Sequence, residues 1–86
     1  MSSEYVIISP TQCKAARELL EWKQEYLSEV SNVGHATISK FERKISNPTF
    51  KTLNDLKKTF EEAGIIFLNS NDEVGVKLKI STTANN

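Results

Sequence analysis

Hydrophobic and polar positions follow a helical period along most of the chain, in four separate segments. The spacing predicts helices over about residues 10–20, 24–30, 35–42 and 50–63. Ser9, Pro10 and Gln12 form a capping box with proline at the first helical position, Thr49 caps the start of the last helix, and Gly64 ends that helix. The predicted inward-facing residues, helix by helix, are Cys13, Ala16, Leu19 and Leu20; Leu27 and Val30; Ile38 and Phe41; and Phe50, Leu53, Leu56 and Phe60.

The pattern changes to a strand period after the fourth helix. It predicts strands over about residues 65–68 and 74–80, joined by a polar loop. In the second strand Val74, Val76, Leu78 and Ile80 alternate with polar or small residues and share one face. A third short strand is expected over residues 4–8, and a disordered tail over residues 81–86. The predicted fold class is mainly α: one domain, residues 1–86, of four helices followed by a β-hairpin.

The second and third predicted helices are short and are joined by Asn32-Val33-Gly34. Asparagine tolerates the left-handed conformation that such a tight turn needs, and Gly34 can act as the N-cap of the next helix. Opposite its apolar side, the third helix carries small and polar residues: His35, Ala36, Thr37, Ser39 and Lys40. A helix of this kind suits insertion into the major groove of DNA, so the segment is interpreted as a helix-turn-helix.

The charge distribution supports this interpretation, although the formal net charge is zero. Residues 35–58 carry a net charge of +4, whereas residues 1–34 and 59–86 each carry −2. The positive charge therefore lies on and after the predicted recognition helix, where DNA phosphates would be expected. A solvated charged face is the alternative explanation.

Composition excludes several other classes. No apolar run approaches the roughly 20 residues of a membrane span, no signal peptide is evident, and one cysteine allows no internal disulfide, all typical of a cytoplasmic protein. One histidine and one cysteine make no metal site, and no cofactor-binding motif is present. Cys13 has no catalytic partner at a recognisable spacing and is expected to fill the core, so an enzyme is not expected.

The segments ISPTQCKAARELLEWKQEYL, ATISKFE and NPTFKTLNDLKKTFEEAGIIFL resemble the Cro/C1-type (XRE-like) helix-turn-helix family of phage and bacterial regulators. The similarity covers about residues 8–80 and is greatest to a small bacterial subgroup with a C-terminal β-hairpin. It implies a lambda-repressor-like DNA-binding domain. In this family the third helix reads bases, the start of the second helix binds a phosphate, and an ion pair lies beneath the recognition helix.

Matched residue by residue, the resemblance assigns the following roles. The base-reading positions are His35, Ala36, Thr37 and Lys40, and Ser39 on the same outer face is a further candidate. The phosphate-binding positions are Gln24, Arg43, Lys44 and Asn47, with Lys23 as a further candidate, and the ion pair is Arg17 with Glu42. His35 could equally be an exposed residue at the helix start, and Arg17 and Glu42 could be ordinary surface charges.

Two departures from the family pattern affect the expectations. Family members usually carry glycine at Asn32 and serine or threonine at Gly34, so a slightly looser turn is expected. Strands replace the fifth helix of larger relatives, which commonly makes the dimer. We expect the face of Val74, Val76, Leu78 and Ile80 to make a homodimer instead; the alternative is a hairpin that folds back on its own fourth helix.

The leading functional hypothesis is a sequence-specific transcriptional regulator, a repressor, that binds double-stranded DNA as a dimer on a two-fold operator. One alternative is the antitoxin of a toxin–antitoxin pair, in which the C-terminal strands hold the toxin. A different class is a protein-interaction module that has kept the fold and lost DNA binding.

Overall fold

The computed structural model describes residues 7–70 and 73–80. Its elements, in chain order, are α1 (Pro10–Leu19), α2 (Gln24–Ser31), α3 (His35–Glu42), α4 (Phe50–Glu62), β1 (Ile65–Asn69) and β2 (Val74–Leu78). The two strands pair antiparallel as a hairpin, with Phe67 opposite Val76. The predicted fold class, four helices followed by a hairpin, is confirmed.

The strand predicted near the N-terminus and the tail predicted at the C-terminus lie largely outside the described residues. The described residues do not include residues 4–6 of the predicted N-terminal strand or the predicted tail 81–86. Ile7 and Ile8 are described and have no strand geometry, although Ile8 is buried in the core. Residues 7–9 therefore form an irregular segment that leads into α1.

Side chains cap the two helices that flank the helix-turn-helix. At the start of α1, the Ser9 hydroxyl accepts from the Gln12 amide and the Gln12 side chain accepts from the Ser9 amide, both at 3.0 Å. At the start of α4, Thr49 accepts from the backbone of Thr52. The C-terminus of α4 turns at Gly64, whose φ of +102° suits glycine. These capping predictions are confirmed.

One hydrophobic core draws on all four helices and the hairpin. Its buried members are Ile8, Cys13, Ala16, Leu27, Val33, Ile38, Phe41, Leu56, Phe60 and Ile65. Phe60 lies near its centre, with Trp22 stacked on one side and Phe67 edge-on at the other, each with ring centroids 6.0 Å away. Trp22 thus fills the corner between α1 and α2.

The hairpin folds back on its own chain, where β1 packs near α4 and β2 near α1. Val76 and Leu78 pack against the core, whereas Val74 and Ile80 remain 69% and 74% exposed. The apolar face predicted for a dimer contact is therefore divided, with its two middle residues closing the protein's own core and its two outer residues left in solvent.

Gln12 fastens the hairpin to the start of α1. Its carboxamide is buried, and its Nε2 donates to the carbonyls of Leu68 and Gly75 at 3.3 and 3.0 Å, while its oxygen completes the capping box. A polar residue can take this interior position because every part of its side chain has a partner.

Three residues assigned to apolar helix faces lie outside the core. Leu19 and Val30 are each 43% exposed, and Phe50 is 51% exposed. In α1 the buried side is formed by Gln12, Cys13 and Ala16, and in α2 Ser31 is buried instead of Val30. The Ser31 hydroxyl donates to the Leu27 carbonyl at 2.6 Å, so this polar side chain is satisfied in the interior.

Gln12→Ala should lower the free energy of unfolding by about 1–3 kcal/mol, because it removes a buried group that joins α1 to the hairpin. Urea unfolding followed by circular dichroism measures this change. Thr11→Ala, an exposed neighbour in the same helical turn, is the control. Equal stability of the two variants would show that the hairpin does not depend on Gln12.

Candidate nucleic-acid interface

The turn between α2 and α3 has the geometry that the sequence predicted. Asn32 is left-handed, with φ of 63°, and its amide donates to the Ser28 carbonyl at 3.0 Å. The Ser28 hydroxyl donates to the Val33 carbonyl at 2.7 Å, and the Val33 amide donates to the Ser31 hydroxyl at 3.2 Å. Val33 itself is buried, so hydrogen bonds and core packing together hold the angle between the two helices.

The outer face of α3 is an open, shallow concavity of about 280 Å³. Its lining residues are His35, Ala36, Ser39, Lys40 and Arg43. Ile38 and Phe41 point the other way into the core. The concavity therefore presents small side chains flanked by cationic ones, and it brings together four of the five predicted base-reading residues with Arg43, predicted to bind phosphate.

Thr37 is the fifth predicted base-reading residue and does not line the concavity. It is half-buried, because its position on the helix lies close to that of Phe41 on the core side. Thr37 thus lies at the edge of the exposed face, not at its centre beside Lys40.

Of the predicted phosphate-binding residues, Arg43 lines this concavity and Gln24 contacts His35 at one end of it. Lys23, Arg43, Lys44 and Asn47 are exposed, and Gln24 is half-buried. Both α2 and α3 begin without a side-chain cap, at Lys23 and Gly34. Their first backbone N–H groups are therefore open to an anion, which the helix dipole also favours.

Arg17 and Glu42 form a two-pronged ion pair between α1 and the end of α3. Arg17 Nη2 lies 2.8 Å from Glu42 Oε1, and Arg17 Nε lies 2.9 Å from Oε2. The side chains are only 13% and 4% exposed. The third nitrogen of the guanidinium, Nη1, donates to the Trp22 carbonyl at 2.9 Å, which also fixes the α1–α2 corner.

Two further side chains complete this polar cluster. Cys13 Sγ donates to Glu42 Oε2 at 3.3 Å, and Gln24 Nε2 donates to Glu42 Oε1 at 3.0 Å. The oxygen of Gln24 lies 3.0 Å from His35 Nε2. A carboxamide oxygen can only accept, so this contact assigns the proton to Nε2 of His35. Glu42 thus joins α1, α2 and α3 at one point.

The surroundings of Glu42 determine its charge state. Burial by itself would raise the pKa of this carboxyl, but hydrogen bonds from Arg17, Gln24 and Cys13 outweigh that effect and hold the pKa below its ordinary value. The hydrogen bond between Arg17 and Glu42 also raises the pKa of the Arg17 guanidinium. Burial, and then the charge of Glu42, raises the pKa of the Cys13 thiol far above its ordinary value, so Cys13 stays neutral and donates.

Sequence reasoning missed these connections of Cys13, Gln24 and His35. Cys13 matched a simple core position, and Gln24 and His35 matched DNA-facing positions. Their partners lie 29, 18 and 11 residues away along the chain, beyond any helical period. No local feature of the sequence indicated that folding would bring these three polar side chains into contact with their partners.

Other classes of site find no support among the described residues. Within residues 7–70 and 73–80, no group of three or more His, Cys, Asp or Glu side chains could hold a metal ion. No helix in that part of the chain is long and apolar enough to cross a membrane.

The Arg17–Glu42 pair should be strongly coupled. Removing either partner leaves a mostly buried charge uncompensated and should cost about 3–5 kcal/mol of unfolding free energy, with the double variant far less than additive. A double-mutant cycle to alanine, followed by urea unfolding, measures the coupling. The exposed Lys51–Asp55 pair on α4 is the control and should couple by only about 0.5 kcal/mol. Comparable coupling free energies in both cycles would contradict a strong interaction between Arg17 and Glu42.

Glu42 should also make stability depend on pH. Because its folded pKa is lowered, its contribution is complete above the unfolded value near 4.5 and is lost as the pH falls through the folded value. The unfolding free energy of the wild type should therefore fall more steeply below about pH 5 than that of Glu42→Gln. Urea titrations at a series of pH values test this, with the exposed Glu62→Gln as control. If Glu42→Gln and wild type gave parallel curves, the lowered pKa would be wrong.

Comparison with known proteins agrees with this geometry. The sequence profile of the helix-turn-helix family matches residues 14–62, more than half of the chain, from within α1 to the end of α4. No curated protein matches the sequence. The matched region contains the capless start of α2, the turn at Asn32 and the polar face of α3. The chain belongs to the helix-turn-helix family, of the Cro/C1 type, whose members are DNA-binding transcriptional regulators and typically not enzymes.

Proposed function

We propose that this protein is a sequence-specific transcriptional regulator that represses by binding a two-fold operator as a dimer. The observation that carries the proposal is the outer face of α3, which is exposed, polar and cationic. Hydrogen bonds from Arg17 and Gln24 to Glu42 hold this helix on the rest of the domain. A recognition helix must be presented at a fixed angle, because base contacts require side chains to reach particular edges in the groove.

Base reading is assigned to the concavity on α3. Lys40 can donate to the acceptors of guanine, and Ser39 can pair with several bases. Ala36 allows close approach and can contact a thymine methyl group. His35 lies at the end nearest α2, bonded to Gln24, and Thr37 contributes from the edge.

Phosphate binding is assigned to residues around that face. The Gln24 amide carries two N–H bonds, of which one is directed to Glu42; the second can donate to a phosphate beside the open start of α2. The exposed Lys23, Arg43, Lys44 and Asn47 supply the remaining contacts. Because Gln24 also contacts His35, a phosphate bound there would order both the backbone contact and the first residue of the recognition helix.

The proposed dimer uses the part of the hairpin that the core leaves exposed. Val74 lies at the start of β2 and Ile80 lies two residues after its end, and Val76 and Leu78 between them pack against the core. A second copy covering Val74 and Ile80 would remove two apolar side chains from water. Two-fold pairing could then place two α3 helices about 34 Å apart, one turn of DNA, as an operator requires.

Variants on α3 and at the start of α2 should affect DNA binding in different ways. On a site selected from a random DNA pool, Lys40→Ala should lose about 1–3 kcal/mol of preference over random DNA, because a base contact is lost. Gln24→Ala should weaken selected and random DNA alike, as a phosphate contact would. Gel-shift titrations at one salt concentration measure both.

Lys58→Ala is the matched control, because it removes one exposed positive charge from α4. It should change the preference for the selected site little. If Lys40→Ala bound that site as tightly as wild type, α3 would not be the recognition helix. Wild-type protein that selects no sequence would instead favour a module without DNA-binding function.

The proposed dimer can be tested by placing charged side chains at its contact. Sedimentation equilibrium at micromolar concentration should show a wild-type dimer and a monomeric Val74→Lys/Ile80→Lys variant, which should still fold because neither side chain belongs to the core. Ile66→Lys, on the opposite face of the hairpin, is the control and should remain dimeric. Wild-type protein that is monomeric without DNA would exclude a preformed dimer.

A further inference from the structure

A second concave surface lies beside α2, away from the residues of the α3 concavity. It is a groove of about 620 Å³ whose lining residues are Glu21, Trp22, Lys23, Glu25, Tyr26 and Glu29. None of these residues lines the concavity on α3. Apart from Lys23 at its margin, the groove includes none of the residues assigned to DNA. The proposed DNA-binding function therefore leaves it unexplained.

The aromatic wall of the groove is held in place by the core. Trp22 and Tyr26 meet edge-to-face with their centroids 5.0 Å apart, and Trp22 stacks on the buried Phe60. Tyr26 nevertheless remains 45% exposed. Two fixed aromatic rings thus face the groove, and a ligand would not have to order them.

The rim of the groove is acidic. Glu21, Glu25 and Glu29 follow one another at intervals of four residues, and Glu25 and Glu29 lie one helical turn apart on α2. Within the described residues none of the three carboxylates has an ion-pair partner. Lys23 is the one cation among the lining residues. The rim therefore attracts cations.

We propose that this groove docks an arginine-bearing segment of a partner protein. A guanidinium can lie against the ring of Trp22 or Tyr26 and donate to the carboxylates beside it, which combines a cation–π contact with charge-assisted hydrogen bonds. Glu25 and Glu29 lie one helical turn apart on α2 and Glu21 lies in the turn before it, so the three separate carboxylates match several cationic side chains along a peptide better than a single small amine. The groove would then recruit a second protein while α3 is on DNA.

The test uses a capped peptide, acetyl-Arg-Ala-Arg-Ala-Arg-amide, and the full-length protein. Trp22 is the only tryptophan in the chain, so its fluorescence reports directly on the groove. The emission of Trp22 should change saturably with the peptide and not with the corresponding glutamate peptide. Amide chemical-shift changes should centre on residues 21–29. An absence of saturation, or shifts centred elsewhere, would overturn the proposal.

Matched charge variants separate the groove from general attraction between opposite charges. Glu25→Gln/Glu29→Gln should weaken peptide binding about tenfold, whereas Glu62→Gln/Glu73→Gln, which removes the same charge from exposed positions elsewhere, should change it by less than about twofold. Equal weakening would refute a specific site. If Glu25→Gln/Glu29→Gln instead abolished self-association of the protein without peptide, the groove would serve a second copy and the proposal would be wrong.

Discussion

The buried carboxylate of Glu42 is the point on which the arrangement of α1, α2 and α3 depends. A charge with only 4% of its side chain exposed must be compensated by hydrogen bonds, or its desolvation would destabilise the fold. Arg17 supplies two of them, and Gln24 and Cys13 supply one each. Since Glu42 is the last residue of α3, these bonds fix one end of that helix, and the short turn at Asn32 fixes the other.

This division of roles suits a helix that has to present one face to DNA. Ile38 and Phe41 supply the apolar packing that holds α3 on the domain, but apolar contacts are not directional and would tolerate rotation and sliding. The ion pair and the amide contact are directional, so they select one tilt. Gln24 extends that control to the start of α3, because the same carboxamide contacts both Glu42 and His35.

The hairpin has a comparable double role. Its inner face closes the core with Ile65 and its packed neighbours, and Gln12 ties the strands to the first turn of α1. A chain of 86 residues has limited apolar surface to bury, so using part of the hairpin internally stabilises the monomer. Val74 and Ile80 of the same apolar face stay exposed to solvent.

The sequence alone determined the features that depend on local chemistry. Helical period, caps at Ser9 and Thr49, and the left-handed asparagine follow from backbone and side-chain rules that act within one turn, so element order and the polar face of α3 were predictable. Which side of the hairpin would be buried, and the exposure of Leu19, Val30 and Phe50, were decided only by the tertiary structure. The hydrophobic period of a helix or strand shows that one face is apolar, but it does not show which part of the protein covers that face. Likewise the resemblance paired Arg17 with Glu42, whereas the contacts of Cys13, Gln24 and Gln12 arise because folding brings distant polar groups to the same buried depth.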